Sequence, residues 1–103
     1  MNQMDKPMDA RSTTEVQTAS ARRYMAQLAK HFAHKVDVEA EEDHTVFRFS
    51  CGTARLDATA DRLIIAVESP DADARGETED VVERHLVRFA FREALGPLEW
   101  TRA

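Results

Sequence analysis

The sequence predicts a two-layer α+β domain, in which a four-stranded antiparallel meander carries two helices on one face. Two segments space their apolar residues for one face of a helix, and four segments between them alternate apolar and polar residues as half-buried strands do. The links between these four segments are too short for parallel crossovers, so neighbouring strands must run antiparallel. The predicted element order is α-β-β-β-β-α, with short extra strands allowed at either end.

The first helix is predicted to begin at Ser20, a suitable N-cap, and to end near Lys35. Its apolar stripe follows the i, i+3, i+4, i+7 spacing of one helix face and consists of Met25, Leu28, Ala29 and Phe32. Alternating patterns then predict strands around residues 36–40, 45–51, 54–58 and 63–67. Gly52 is expected in the turn between the second and third of these strands.

The second helix is predicted from about Thr78 to a stop at Gly96 and Pro97. Its core stripe is predicted to be Val82, Leu86, Phe89 and Ala90. The stretch before Thr78 is acidic and interrupted by Gly76, and Ser69 and Pro70 ahead of it suit a helix start or a turn. Trp100 is expected to fold back onto the sheet or a partner. Burial of both apolar stripes is simplest when the two helices lie side by side on one sheet face.

Residues 1–12 show no periodicity and are predicted to be a disordered tail, so the single domain spans residues 13–103. Residues 13–18 are rich in threonine and could form a short edge strand. The net charge of −5 disfavours nucleic acid and anionic membrane as partners. The polar start and the single cysteine, Cys51, indicate a cytoplasmic location.

The sheet face away from the helices is expected to be mixed in character. Its predicted residues are Val46, Arg48, Arg55, Asp57, Ile64, Ala66 and Glu68. Such a face can be solvated, but its apolar members also make it a candidate docking surface. We therefore expect that the chain could form a homodimer through this face or through a sheet edge.

Two histidines, His31 and His34, stand three residues apart near the end of the first helix, between Lys30 and Lys35. Their spacing would let both imidazoles approach one iron or zinc ion, with further ligands drawn from His44, His85, Asp43 and Cys51. Basic groups in a last helical turn also stabilise the negative end of the helix dipole, and this capping role is the favoured interpretation. Contact with an anionic or flavin-type ligand is a third alternative.

His85 borders the apolar stripe of the second helix and is interpreted as a half-buried core histidine, with a ligand or general base as the alternative. Arg84, Arg88 and Arg92 step by four along the same predicted helix, so like charges stack unless something anionic offsets them. Internal salt bridges are the favoured explanation, and a phosphate-bearing or carboxylate-bearing partner is the alternative.

Sequence signatures of enzymes are scarce, since the chain has no phosphate-binding glycine loop, G-x-S-x-G, H-E-x-x-H or C-x-x-C. No catalytic residue is therefore nominated, and whether the chain is an enzyme stays open, with a non-enzymatic role favoured. Cys51 is expected on the apolar face of its strand, where a thiol is a poor nucleophile.

Three stretches and a final EWTR resemble the bacterial family catalogued as domain of unknown function 2218 (DUF2218). These stretches are YMAQLAKHFAHKV, F-x-F-S-C-G-T-A-R-L-D and ED-VVERHLVRFAFREAL, within a match from about Thr14 to Arg102. The matching motifs contain His31, His34, Lys35, Gly52, His85, Arg88, Phe89, Phe91 and Arg92. In some bacteria a similar domain is joined to a siderophore-interacting, flavin-binding ferric reductase, which implies an accessory part in iron uptake.

Two functions follow from these observations. The first is a non-enzymatic binding module that contacts a protein such as a flavin-dependent siderophore reductase. The candidate binding residues are His31, His34, Lys35, Arg84, His85, Arg88 and Arg92. The second is a small iron-binding or zinc-binding protein that uses His31, His34 and His85. Either site should lie where the end of the first helix meets the second helix.

Overall fold

The chain folds into a six-stranded antiparallel sheet and two helices, as seen in a computed structural model that describes residues 8–95 and 97–103. The elements in chain order are β1 (Ala10–Gln17), α1 (Ala21–Phe32), β2 (Asp37–Ala40), β3 (His44–Phe49), β4 (Gly52–Ala58), β5 (Arg62–Ser69), α2 (Ala72–Phe89), a 3-10 helix (Phe91–Glu93) and β6 (Thr101–Arg102). The strands are arranged in the order β2-β3-β4-β5-β1-β6. The α+β class and the antiparallel sheet are thus confirmed.

The predicted meander corresponds to β2 to β5, but a sheet of only four strands is wrong. β1 pairs along its whole length with β5, from Ala10 opposite Ser69 to Gln17 opposite Arg62, and β6 pairs briefly with its other edge. The predicted tail therefore includes residues 10–12 of a strand, while residues 1–7 lie outside the described chain.

Apolar periodicity predicts β1 only weakly, and the residues that β1 buries explain why. Its inward positions are Ala10, Ser12, Thr14 and Val16, and all four are buried although three of them are small or hydroxylated. Apolar periodicity cannot reveal a strand that buries threonine and serine, because these residues also fit loops. The expected edge strand is therefore longer than predicted, and it lies between β5 and the two-residue β6 as the fifth of six strands.

One face of the sheet is covered by both helices, as predicted. The buried strand residues include Phe47, Leu56, Leu63, Ile65 and Val67, and they alternate with more exposed neighbours. α1 and α2 contact each other, and both contact β4 and β5. Since burying a large apolar side chain contributes about 1.5–3 kcal/mol, this layer accounts for most of the hydrophobic stabilisation.

The start of α1 differs in detail from the prediction. Ser20 does occupy the N-cap position, but its side chain makes no capping hydrogen bond. Instead the backbone N–H of Ser20 donates to Thr18 Oγ1 at 3.0 Å, and the Ser20 hydroxyl accepts from Arg23 at 3.3 Å. Thr18 therefore shapes the approach to the helix.

The end of α1 also comes earlier than predicted. The helix stops at Phe32, whose carbonyl accepts from the backbone N–H groups of Lys35 and Val36 at 2.9 and 3.0 Å. These backbone donors close the helix end. His34 and Lys35 consequently lie in the following turn, where both are exposed.

The second helix begins at Ala72 rather than near Thr78, so most of the acidic stretch belongs to the helix. The Asp71 carboxylate caps it by accepting from the backbone N–H of Ala74 at 2.8 Å. Gly76 lies within the helix, and a Cβ there would meet nothing within 4 Å. This segment contains a glycine and several carboxylates, so apolar spacing does not predict its two helical turns.

The second helix packs tightly against the sheet at Gly52, the first residue of β4. A Cβ on Gly52 would lie 2.5 Å from the Glu68 carbonyl oxygen and 2.7 Å from Thr78 Oγ1, and its φ is +159°. Thr78 in turn lies 3.0 Å from the Ser69 hydroxyl and donates to the Ala74 carbonyl at 2.8 Å. The absence of a side chain at Gly52 allows this close approach.

The C-terminal segment folds back onto the domain. The Trp100 indole N–H donates to Glu83 at 2.8 Å, which fixes the ring against α2. Arg102 makes two hydrogen bonds with the buried carboxylate of Glu79, at 2.6 and 3.2 Å. Within the described residues, neither helix is long and apolar enough to cross a membrane.

Candidate binding site at the junction of the two helices

His31 and His85 meet where the last turn of α1 packs against α2. Their ring centroids are 4.8 Å apart and the ring planes are tilted by 45°. The His31 ring also makes edge-to-face contacts with Phe32 and Phe89, at centroid distances of 4.9 and 5.6 Å. The structure therefore places two of the three predicted histidines together at the predicted junction.

The two rings of this pair differ in their hydrogen bonds. His85 Nδ1 donates to the Val81 carbonyl at 2.6 Å, because that carbonyl can only accept. His31 Nε2 is buried and has no hydrogen-bond partner in the described chain. Burial lowers the pKa of His31 from 6.5, and the positive charges of Lys35, His85 and Arg88 lower it further. His31 is thus neutral at pH 7, which makes it a poor cationic cap for the helix dipole.

The other residues proposed as metal ligands are not brought to this pair. His34 is exposed in the turn after α1, and His44 lies 3.1 Å from Asp43, whose pKa it lowers. The Cys51 sulfur instead lies 3.2 Å from Thr78 Oγ1. Throughout residues 8–95 and 97–103, no three His, Cys, Asp or Glu side chains are grouped so that they could hold a metal ion.

The predicted column of arginines is divided by the end of α2. Arg84 pairs with Asp80 at 2.5 Å, so the internal salt bridge expected for the column exists at this position. Arg88 lies in the last turn of α2, while Arg92 belongs to the 3-10 helix and its guanidinium lies 5.6 Å from the Phe91 ring centroid. Only two of the three arginines therefore share one helix.

A set of basic residues on the helical side has no acidic partner. We call them the helix-face cations: Arg23, Lys30, Lys35, Arg88 and Arg92. In the part of the chain that the structure describes, none has a carboxylate oxygen within 4.0 Å. The sequence contains the reason, because residues 16–36 and 84–92 include no aspartate or glutamate.

The outer sheet face has the opposite character. Each of its arginines lies beside a carboxylate on the same or a neighbouring strand, and the pairs are Arg11–Glu68, Arg48–Asp37, Arg48–Glu39, Arg55–Asp57 and Arg62–Glu15. Val46, Ile64 and Ala66 are half-buried among them. The predicted mixed face is confirmed, and its charges neutralise one another.

A cleft opens between α1 and the 3-10 helix, next to the histidine pair. We call it the interhelix cleft; its volume is about 300 Å³ and its lining residues are Arg23, Tyr24, Gln27, Phe89, Phe91 and Arg92. Phe91 is 69% exposed, and the Arg23 guanidinium lies 5.5 Å from the Tyr24 ring centroid. Aromatic side chains and two of the helix-face cations therefore line the same cleft.

Glu93 closes one side of this region. Its Oε2 accepts hydrogen bonds from the Tyr24 hydroxyl and from Thr18, the latter at 2.9 Å. The hydrogen bond to Glu93 and then burial raise the pKa of Tyr24. Sequence reasoning singled out Phe91 and Arg92 but missed Arg23, Tyr24 and Gln27; the lack of acidic residues in α1 was the available signal.

The fold and this junction define a small two-layer α+β domain with a basic, aromatic-lined helical side. A model of the family described as uncharacterized proteins conserved in bacteria, DUF2218, matches residues 13–101. The chain belongs to this family, which confirms the resemblance of its motifs.

A solved structure shares the fold. The NMR structure of PA4090 from Pseudomonas aeruginosa superimposes with a TM-score of 0.73 at 34% sequence identity, over 90% of this chain and 94% of that chain. No functionally curated protein matches the sequence. The function proposed below therefore rests on the geometry of the site.

Proposed function

We propose that this domain is a non-enzymatic binding module that docks an acidic protein partner on its helical side. The observation that carries the proposal is the set of five helix-face cations, which have no carboxylate partner among the described residues, in a chain whose net charge is −5. Unpaired like charges on one surface repel one another, whereas the outer sheet face shows that this chain pairs its arginines elsewhere.

An acidic partner would relieve this repulsion and would be steered to the helical side by the local field. The centre of that side is less polar, since His31, His85 and Phe89 are half-buried there and Phe91 is exposed. Protein interfaces commonly combine an aromatic centre with arginines, and this junction supplies both.

The proposed partner is a flavin-dependent siderophore reductase, which would make the domain an accessory to iron-siderophore utilisation. The support for this partner is the family resemblance, because similar domains are joined to such reductases. A cytoplasmic location for this encounter is part of the same proposal.

The test compares two charge-reversed variants in binding to the purified reductase of the same bacterium. Lys35→Glu with Arg88→Glu changes the helical side, and the matched control Arg55→Glu with Arg62→Glu changes the outer sheet face by the same net charge. We expect the first variant to lose at least about tenfold in affinity and the control to lose little, because only the first removes intermolecular pairs. Equal losses would place the contact elsewhere.

A decaglutamate peptide tests the surface without assuming the partner. We expect it to shift backbone amide NMR signals of α1 and the end of α2, with an affinity that falls as salt rises. Binding of the peptide without binding of the reductase would retain the surface and reject the named partner. Peptide-induced shifts on the outer sheet face would reject the surface itself.

A small metal-binding protein is the second candidate, favoured by one observation. His31 Nε2 is buried beside the ring of His85 and has no hydrogen-bond partner in the part of the chain that the structure describes. A zinc or iron site needs further ligands, which the described residues do not group there. Metal analysis of protein purified without a polyhistidine tag should be compared with His31→Ala with His34→Ala, and with His85→Ala. Stoichiometric metal that both variants lose would support this function.

Formation of a homodimer through the outer sheet face is a separate proposal. A shallow cavity of about 220 Å³ there is lined by Val46, Thr53, Arg55, Ala66 and Glu68. Sedimentation of the chain and of Val46→Glu would test it, since a dimer through this face should dissociate in the variant. A concentration-independent monomer would reject it.

A further inference from the structure

We propose that the interhelix cleft binds a small ligand made of a single aromatic ring with an anionic substituent. This site goes beyond the docking of a protein partner, because it is a pocket for a small molecule and needs only one end of the helical side. Three properties of the cleft lead to this ligand class: its volume, its aromatic walls and its unpaired guanidinium groups.

The volume suits a small ligand. The cleft measures about 300 Å³, which is at the lower end of the range of about 300–1,000 Å³ typical of small-molecule sites. Dinucleotides and other large cofactors are too big for it. A substituted benzene ring is of suitable size for it.

The walls favour an aromatic ring over an aliphatic one. Phe91 is the large apolar side chain that the described chain leaves most open to water, at 69% exposure, and it lies on the rim beside the half-buried Phe89. Tyr24 is buried and forms part of the same lining. An aromatic ligand would cover Phe91 and could make offset or edge-to-face contacts with these rings.

The charges favour an anion on that ring. Arg23 and Arg92 both line the cleft, and neither has a carboxylate within 4.0 Å in the described residues. Glu93 is the nearby opposing charge, and its Oε2 is already engaged by Tyr24 and Thr18. Guanidinium groups bind carboxylates through paired hydrogen bonds, so they would select and orient an aromatic carboxylate.

Titration with benzoate, followed by backbone amide NMR, tests the site directly. We expect saturable shifts confined to α1 and residues 89–93, with a dissociation constant of about 1 mM or lower. Cyclohexanecarboxylate retains the charge but lacks the aromatic faces, and benzamide retains the ring but lacks the charge. Each should bind at least about tenfold more weakly if ring and charge both contribute.

Substitutions assign the effect to the cleft. Phe91→Ser removes an exposed side chain and Arg92→Gln removes one guanidinium, and both should reduce benzoate affinity by at least about tenfold. Arg84→Gln is the matched control, because Arg84 is also an exposed arginine but pairs with Asp80 outside the cleft lining. Unchanged benzoate binding in Phe91→Ser and Arg92→Gln would overturn the proposal.

The comparison ligands give further decisive outcomes. If acetate or cyclohexanecarboxylate shifts the same signals as strongly as benzoate, the cleft recognises charge alone and the aromatic site is rejected. The absence of saturable benzoate binding rejects it as well. Decaglutamate tests the docking proposal independently of the aromatic site, because its binding to the helical side does not require an aromatic contact with Phe91. Loss of benzoate binding with retained decaglutamate binding would therefore concern the cleft alone.

Discussion

The two sides of the sheet differ in how their charged side chains are paired. On the outer sheet face, arginines and carboxylates alternate across neighbouring strands, so each arginine has an acidic neighbour. On the helical side, α1 contains no acidic residue, and five cations lie without partners in the described chain. The comparison teaches that the basic helical side is a local property, which an overall charge of −5 conceals.

The two sides also differ in burial, and the largest expected effect comes from this difference. Phe47→Ala should destabilise the fold by about 3–5 kcal/mol, because Phe47 is 1% exposed and packs beneath the helices. Val46→Ala, one residue away on the outer sheet face, should cost about 1 kcal/mol or less. Urea unfolding followed by circular dichroism measures both. Equal costs would contradict the one-sided placement of the helices.

The approach of α2 to the sheet can be tested at two glycines. Gly52→Ala should destabilise by about 1–3 kcal/mol, since its Cβ would overlap the Glu68 carbonyl and the Thr78 hydroxyl. Gly76→Ala should instead stabilise by about 0.5–1 kcal/mol, because the position is helical and open. Thermal unfolding of both variants gives the signs. A tolerated Gly52→Ala would mean that α2 stands further from the sheet.

An ion pair that contains a buried carboxylate on the helical side should matter more than a pair with two exposed side chains on the outer sheet face. Glu79→Gln should cost about 1–3 kcal/mol, because it weakens the charge-assisted bonds to Arg102 in a buried position. Glu15→Gln, which affects the exposed pair with Arg62, should cost about 0–1 kcal/mol. Chemical unfolding at pH 7 compares the two variants directly.

The carboxylate of Glu79 should also make the stability of the fold depend on pH. Burial alone would raise the pKa of Glu79, but the hydrogen bonds and charge of Arg102, together with other neighbours, lower it below 4.5. Its contribution to the free energy of unfolding is therefore complete above pH 4.5 and is lost as pH falls through the folded-state pKa. Stability measured from pH 6 to pH 3 should fall less steeply in Glu79→Gln. An unchanged slope would contradict this assignment.

The smallest effect is expected at the histidine pair. Because the pKa of His31 is lowered from 6.5, the unfolded chain takes up a proton before the folded chain does, and stability should decrease as pH falls through 6.5. His31→Leu should flatten the dependence between pH 7.5 and 5.5. Thermal melts across this range provide the measurement, and equal slopes in the two proteins would contradict burial of His31.

Apolar spacing predicted both helices, the central meander and the side on which the helices lie. It failed for β1, which buries Ser12 and Thr14, and for the start of α2, where Asp71 provides a cap that apolar spacing does not detect. The meeting of His31 and His85 followed from two correctly placed helix faces. The position of Arg92 could not be predicted from helix spacing. The α-helix ends at Phe89 and a 3-10 helix follows, so Arg92 does not continue the series of Arg84 and Arg88.

The interhelix cleft could not be predicted for a related reason. Its walls come from α1 and from the 3-10 helix, so its shape depends on how residues 89–93 turn back towards α1. That turn is held by Glu93, through hydrogen bonds to Tyr24 and Thr18 that are distant in sequence. Local patterns carry no information about such tertiary contacts.

The first and last strands leave the ends of the described chain side by side. Arg11 and Arg102 lie near each other across the short β1–β6 ladder, and the backbone N–H of Ala103 donates to the Arg11 carbonyl at 3.1 Å. A domain with neighbouring ends can be spliced into a surface loop of a host protein without stretching either connection. The same adjacency makes this chain a suitable subject for circular permutation, with new ends opened in the link between β4 and β5.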